Sequence, residues 1–130
     1  MARDLLSDVT LSAMGKILDA TAARQRVIAH NIANVDTPGF TRSDVSFHDE
    51  LARALTDADE QPLLTISRVG EVQPRTALDS QSPPRADGNN VDIDREMASM
   101  AQNTIEYEAA AEVLKSKLAM LRSAVSEGRK

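Results

Sequence analysis

Two segments of this chain carry apolar residues at heptad spacing, and they lie at opposite ends of the sequence. The first stripe runs Leu11, Met14, Leu18, Thr21, Gln25, Ile28 and Ile32, in alternating steps of three and four. Such a pattern holds one face of a helix against a partner. Thr21 and Gln25 are its polar members, and polar residues at seam positions set register at some cost in stability. The spacing predicts a helix starting near Ser7 or Asp8, either of which can accept the first backbone N–H groups. It should stop near Asn34, because Thr37 precedes Pro38 and the α region is disfavoured before proline.

The second stripe is longer. Ile93, Met97, Met100, Thr104, Tyr107, Ala111, Leu114, Leu118, Leu121 and Val125 alternate steps of four and three. Asp92, Asp94 and Glu96 stand at its start; Lys115, Lys117, Arg122, Arg129 and Lys130 lie towards its end. That order complements the helix macrodipole. Ile17, Val27, Ile105 and Val113 fall off both stripes. They would face water in a lone hairpin and are available to adjacent subunits.

Between the stripes the chain changes character. Ser46 followed by Asp49 has the form of a capping box, and Phe47, Leu51 and Leu55 share a face, which predicts a short helix over 46–56. Leu63 to Ile66 reads as a short strand, with Val69 and Val72 as a weak second one about Gly70, and Ser80 to Asn90 as loop. Net charge is +1 over residues 1–34, −5 over 35–90 and −1 over 91–130, so the acidity of the chain is confined to its middle. The expected fold is mainly α. Two long terminal helices pair as an antiparallel coiled-coil hairpin, with a short helix and an irregular or weakly β segment between them. The divisions are 1–40, 41–90 and 91–130.

Composition agrees with narrow helix–helix seams. Alanine occupies 19 of 130 positions, and Phe40, Phe47 and Tyr107 are the only aromatic residues. Large side chains, which usually dominate a globular core, are scarce. An overall charge of −5 without a basic stripe argues against nucleic acid as a partner. The absence of cysteine excludes disulfides and thiolate chemistry. No stretch approaches the ~20 apolar residues of a membrane span, and residues 1–14 lack a signal-peptide apolar run.

No motif calls for catalysis, a metal or a cofactor. His48 and Asp49 are adjacent, so on a helix they point about 100° apart and do not converge on an ion; an acidic first turn explains them. His30 has no ligand-type residue at i+4. Counting from Asp87, calcium-loop positions 6 and 12 hold Asp92 and Ala98 rather than glycine and glutamate. A turn at Gly88, followed by Asn90 or Asp92 capping the long helix, explains the same residues. The serines lack a nucleophile context.

The strongest local feature is the run Asn31-Ile32-Ala33-Asn34-Val35-Asp36-Thr37-Pro38-Gly39-Phe40. Pro38 presets φ at the second position of a type II turn, and Gly39 can take the positive φ needed at the third. Asn31 and Asn34 can satisfy orphan carbonyls of the helix end or bind a neighbour's backbone, and Phe40 needs somewhere to bury. The run is at least a helix stop, and it has the make-up of a docking elbow.

This run resembles the N-terminal signature of the bacterial flagellar rod and hook axial proteins. The stretch Gly88-Asn89-Asn90-Val91-Asp92-Ile93-Asp94-Arg95-Glu96-Met97 is similar to the segment opening the C-terminal helix in the small proximal rod members, and Leu118 to Arg129 is similar to their tail. The resemblance implies a structural subunit of the flagellar basal-body rod in the periplasm, exported by the flagellar type III apparatus without a cleaved signal peptide. It implies self-association through the terminal helices to transmit torque. The implied partners are the proximal rod protein C, other rod proteins and the rod–membrane-ring junction protein. A cytoplasmic helical-hairpin adaptor or secretion chaperone would show the same two stripes.

Overall fold

The computed structural model describes residues 9–56, 58 and 60–127. Its element order is α1 (Val9–Ala33), β1 (Ser43–Ser46), α2 (His48–Ala54), α3 (Pro62–Glu71), β2 (Arg75–Leu78) and α4 (Ile93–Glu127). The expected start of α1 at Ser7 or Asp8, and the tail residues Gly128 to Lys130, lie outside the described residues.

The fold is mainly helical, and the two long helices pair antiparallel. Asn31, near the end of α1, meets Glu96 near the start of α4, while Asn103, two turns further on, reaches back to Thr21 and Gln25. The polar seam members of α1 thus have a polar partner. Asn103 donates to the Thr21 carbonyl at 2.9 Å and to the Gln25 side-chain oxygen at 2.9 Å. On α4 the buried positions are Glu96, Asn103 and Ala110, a strict seven-residue repeat. This stripe sits one residue before the expected members Met97, Thr104 and Ala111. Small and polar side chains let the two backbones approach there, with Met100, Leu114 and Leu121 half-buried.

The middle segment is ordered around a core of its own. Val45, Phe47, Leu51, Ala54, Val69 and Val72 bury one another against Ala20 of α1, with Ile17, Val27 and Leu55 at the margin. Ile17 and Val27, expected to await a neighbouring subunit, are therefore covered by the chain's own middle. α1 consequently works on two faces, one towards α4 and one towards this core. Ile105 and Val113 do remain exposed.

Two local expectations are corrected. Residues 62–71 form a helix rather than strands: Pro62 fits the first helical turn, and the buried Thr65 and Val69 stand at i, i+4. The strands are instead Ser43–Ser46 and Arg75–Leu78, paired antiparallel with Val45 opposite Thr76. The helix expected over 46–56 is present over 48–54, but without the Ser46–Asp49 capping box. Ser46 belongs to β1, and Phe47 holds the N-cap position with no side-chain bond. At the start of α4 the cap is Asp92, whose Oδ1 accepts from the N–H groups of Asp94 and Arg95 at 3.0 and 3.3 Å.

Candidate functional site

α1 ends at Ala33, and a helix end leaves its last carbonyls without partners inside the helix. The following residues turn back at once. The Phe40 N–H donates to the Thr37 carbonyl at 3.3 Å, with Pro38 and Gly39 between them and Gly39 at φ 72°. This is the type II turn that the sequence requires. A second glycine turn lies against it. Gly88 has φ 81°, and a Cβ there would stand 3.3 Å from the Gly39 Cα. The Gly39 N–H donates to the Asp87 carbonyl at 2.8 Å. Glycine at position 88 thus answers both a conformational need and a close approach.

Asn89 closes the turn that follows the helix. It is fully buried, and its amide nitrogen shares its protons among the carbonyls of Asn34, Val35 and Thr37 at 2.9, 3.1 and 2.8 Å. The Arg85 guanidinium adds another donor to the Val35 carbonyl. Asn90 does comparable work towards β1. Its side-chain oxygen accepts from the Arg42 N–H at 2.7 Å and its nitrogen donates to the Asp79 carbonyl at 2.7 Å. Asn31, at 0% exposure, pairs with the Ser43 backbone in both directions, donating at 2.7 Å and accepting at 3.0 Å. Its nitrogen also reaches the Glu96 carboxylate at 3.1 Å.

At the centre lies an ion pair. Arg42 Nε donates to Glu96 Oε1 at 2.6 Å, with the Glu96 side chain at 0% exposure and that of Arg42 at 3%. Arg42 also donates to Asp79, and its guanidinium stands 3.7 Å from Asp44, which pairs in turn with Arg24 at 3.3 Å. Burial opposes the charge on Arg42, but the hydrogen bonds it donates to Glu96 and Asp79 outweigh it and raise its pKa above the ordinary value. Asp79 is held well below the usual carboxylate range by the Ser82 hydroxyl first, then by Arg42 and the Gln81 N–H. These bonds join α1, β1, the 79–90 loop and α4 into one junction.

A pH dependence follows. An aspartate whose folded pKa lies below its unfolded value of about 3.9 stabilises the fold fully above that value. The contribution is lost as pH falls towards the folded value. The urea midpoint should therefore hold from pH 7 to about 5 and decline below about pH 4. Asp79→Asn should lower the midpoint at neutral pH and flatten the decline; an unchanged acid limb in that variant would show that other carboxylates govern it.

This junction assembles both sequence motifs, and comparison with known proteins identifies its owner. A family model described as "Flagella basal body rod protein" matches residues 18–41, the second half of α1 and the elbow. The flagellar basal body rod protein FlgB of Borrelia hermsii is 42% identical over 104 residues, covering 71% of this chain and 77% of its own. FlgB of Escherichia coli K12 is 31% identical over 132 aligned positions, covering 93% of this chain and 96% of its own. FlgB of Bacillus subtilis is 30% identical over 92% of this chain.

The chain belongs to the FlgB family of flagellar basal body rod proteins.

A FlgB-family chain is a structural subunit of the basal body rod and not an enzyme, which accords with a site built from backbone caps and an ion pair. The remaining motif residues have plain roles here. Asn34 donates to the His30 carbonyl at 2.8 Å and accepts from the Thr37 hydroxyl at 3.2 Å. Pro38 is exposed, and Phe40 is half-buried against the His30 ring at a centroid distance of 5.4 Å. His48 is exposed and bonds to Glu106 of α4 at 2.6 Å.

The stripe residues of this FlgB-family chain divide by burial. Ile28 is buried, while Leu11, Met14, Leu18, Ile32, Met100, Leu114 and Leu121 are half-buried. Met97, Tyr107, Leu118 and Val125 are 52%, 47%, 51% and 71% exposed. Four participants fell outside the sequence reading of the site: Arg42, Asp79, Glu96 as an ion-pair partner, and Asn103. Arg42 and Glu96 stand 54 positions apart, and opposite charges at such a separation leave no local pattern.

Proposed function

We propose that this rod subunit self-assembles through its terminal helices and transmits torque across the interfaces so formed. The observation that carries this reading is the state of α4. It buries Glu96, Asn103 and Ala110 and half-buries Met100, Leu114 and Leu121, whereas Met97, Ile105, Leu118, Met120 and Val125 stay half or more exposed along its length. Exposed apolar residues in such number along one helix mark a protein–protein surface. The segments 1–40 and 91–130 supply the assembling helices, and 41–90 buttresses α1. The junction is suited to load, because its bonds tie both helices to the middle segment at a single place. Its place on this reading is the periplasmic rod, reached by type III export without a cleaved signal, a reading that the family resemblance supports. Its neighbours on the same reading are the proximal rod protein C, other rod proteins and the rod–membrane-ring junction protein.

The test uses Met97→Asp and Val125→Asp, separately and together. Both side chains are exposed in the isolated chain, so each change should alter its stability by no more than about 0.5 kcal/mol. The double variant is expected to reduce swimming motility at least tenfold and to be depleted from purified basal bodies, while its circular dichroism matches the parent. Full motility and normal incorporation would overturn assembly through this helix.

A further inference from the structure

Among the aspartates and asparagines of the chain, Asp87 alone is followed by glycine. In that pairing a backbone most readily attacks its own side chain, because glycine puts no Cβ in the path of the amide nitrogen. The Gly88 nitrogen bonds to Cγ of Asp87, and the carboxyl OH leaves with the amide proton as water. Water then opens the resulting succinimide at either carbonyl. Opening at the original main-chain carbonyl leaves the backbone running through Cβ and Cγ of residue 87. The product is an isoaspartate, one carbon longer in the main chain and unchanged in mass. Both residues are exposed, so water reaches them in the folded chain.

In the fold, the groups that this reaction needs are already engaged. The Asp87 carbonyl accepts from the Gly39 N–H at 2.8 Å, and the Gly88 N–H donates to the Arg85 carbonyl at 2.9 Å. The 87–88 peptide group is thus pinned at both ends, one of them by the elbow across the junction. Asp87 Oδ1 accepts from the Asn89 N–H at 3.0 Å, one residue beyond the nucleophile, and Oδ2 stands 3.5 Å from the Arg85 guanidinium. That N–H, and then the charge of Arg85, hold the Asp87 carboxyl below its ordinary pKa; it stays ionised, and a carboxylate is a poor electrophile. Gly88 stands at φ 81°, and the Gly39 Cα lies 3.3 Å from the place of its missing Cβ, which leaves this peptide little room to turn. The Asn89 side chain anchors the whole loop to the carbonyls of Asn34, Val35 and Thr37.

We propose that Asp87–Gly88 is an isoaspartate-forming site that the junction keeps closed. A chain whose turn is fastened is protected there, and a chain whose turn is open reacts. The product does not rebuild the native junction. The carbonyl that received the Gly39 N–H has become a charged carboxylate beside the main chain. The added backbone carbon also moves Asn89 out of register with its three acceptors. The inference concerns the single chain and stands apart from how that chain assembles.

The test incubates the full-length chain in mildly acidic buffer and, in parallel, in guanidinium chloride above its unfolding midpoint at the same pH. Isoaspartate at position 87 is read by peptide mass spectrometry with electron-transfer fragmentation, which separates the two backbones at equal mass. The unfolded chain is expected to accumulate it at least tenfold faster than the folded one; equal rates would overturn the gating. Asn89→Ala locates the cause, because it removes the side-chain anchor and keeps the loop's backbone. With an unchanged circular dichroism spectrum it should raise the folded-state rate at least threefold, and an unchanged rate would overturn control by the junction. Should that variant lose its helical spectrum, Asp87→Asn carries the test. It keeps an oxygen for the Asn89 N–H and reacts without an acid proton, so it isolates the backbone clamp from the ionisation of the carboxyl. Its deamidation, read as a change in mass, should be at least tenfold slower in the folded chain; equal speeds would show that the clamp protects nothing. Chain carrying isoaspartate at position 87, separated by chromatography and refolded, should unfold at a lower urea concentration than the parent. An identical midpoint would overturn the claim that the product fails to rebuild the junction.

Discussion

Replacing Glu96 with alanine is expected to lower the stability of the chain by about 3–5 kcal/mol, because it leaves a guanidinium buried without its principal partner. Arg42 has a side chain 3% exposed, so water cannot take over the lost bond without opening the junction. The same change removes an acceptor from Asn31, which is at 0% exposure. Chemical denaturation should show the loss as a shifted midpoint with an unchanged slope. A double variant, Arg42→Met with Glu96→Leu, tests the cause. Apolar replacement of both members of a buried pair is often close to neutral, so the double variant should recover much of the loss. Recovery should stay incomplete, since Asp79 and Asn31 each lose a partner as well. If the single variant costs less than 1 kcal/mol, the pair is not buried in solution.

The second large effect belongs to Phe47→Ala. Phe47 is 2% exposed and is the largest fully buried side chain among the described residues. Truncating a buried phenylalanine typically costs about 3–5 kcal/mol through lost transfer free energy and the cavity left behind. Here the cavity would open among Val45, Leu51, Val69 and Ala20, so the middle segment should loosen from α1. Leu63→Ala is the control: Leu63 is an apolar residue of the same segment at 73% exposure, and its truncation should fall within about 0.5 kcal/mol. Equal effects of the two substitutions would mean that the middle segment has no core.

These two residues show what the sequence made readable and what it did not. The long helices were legible because heptad spacing over many turns has few alternative readings. Their rotation was less so. A search for apolar seams favours Met97 and Leu118, whereas the chain buries Glu96, Asn103 and Ala110, whose chemistry gives no seam signal until their partners Arg42, Asn31, Thr21 and Gln25 are in place. Leu63 to Ile66 invited a strand because short apolar runs do not announce their period. The i, i+4 relation of Thr65 and Val69 decides for a helix, and it has meaning only against the core that Phe47 and Leu51 build. In the junction, the turn at Pro38 and Gly39 could be read from backbone preference alone. The reach of Asn89 could not, since its three acceptors lie 52 to 55 positions earlier.

That reach has a consequence for the order in which the molecule can be completed. The carbonyls of the turn beyond α1 are closed by a side chain more than fifty positions downstream, whereas those of His30, Asn31 and Ile32 are met locally by Asn34 and Val35, so the helix can be capped before the turn is secured. At roughly 5–20 residues per second, Asn89 leaves the ribosome about 3–10 s after Asn34 and Thr37. Closing a loop of that length also costs roughly 3–4 kcal/mol in chain entropy before any contact repays it. During that interval the turn's carbonyls are served by water. The newborn chain can thus hold a capped helix followed by an unsecured turn, which is fastened only when its own second half emerges.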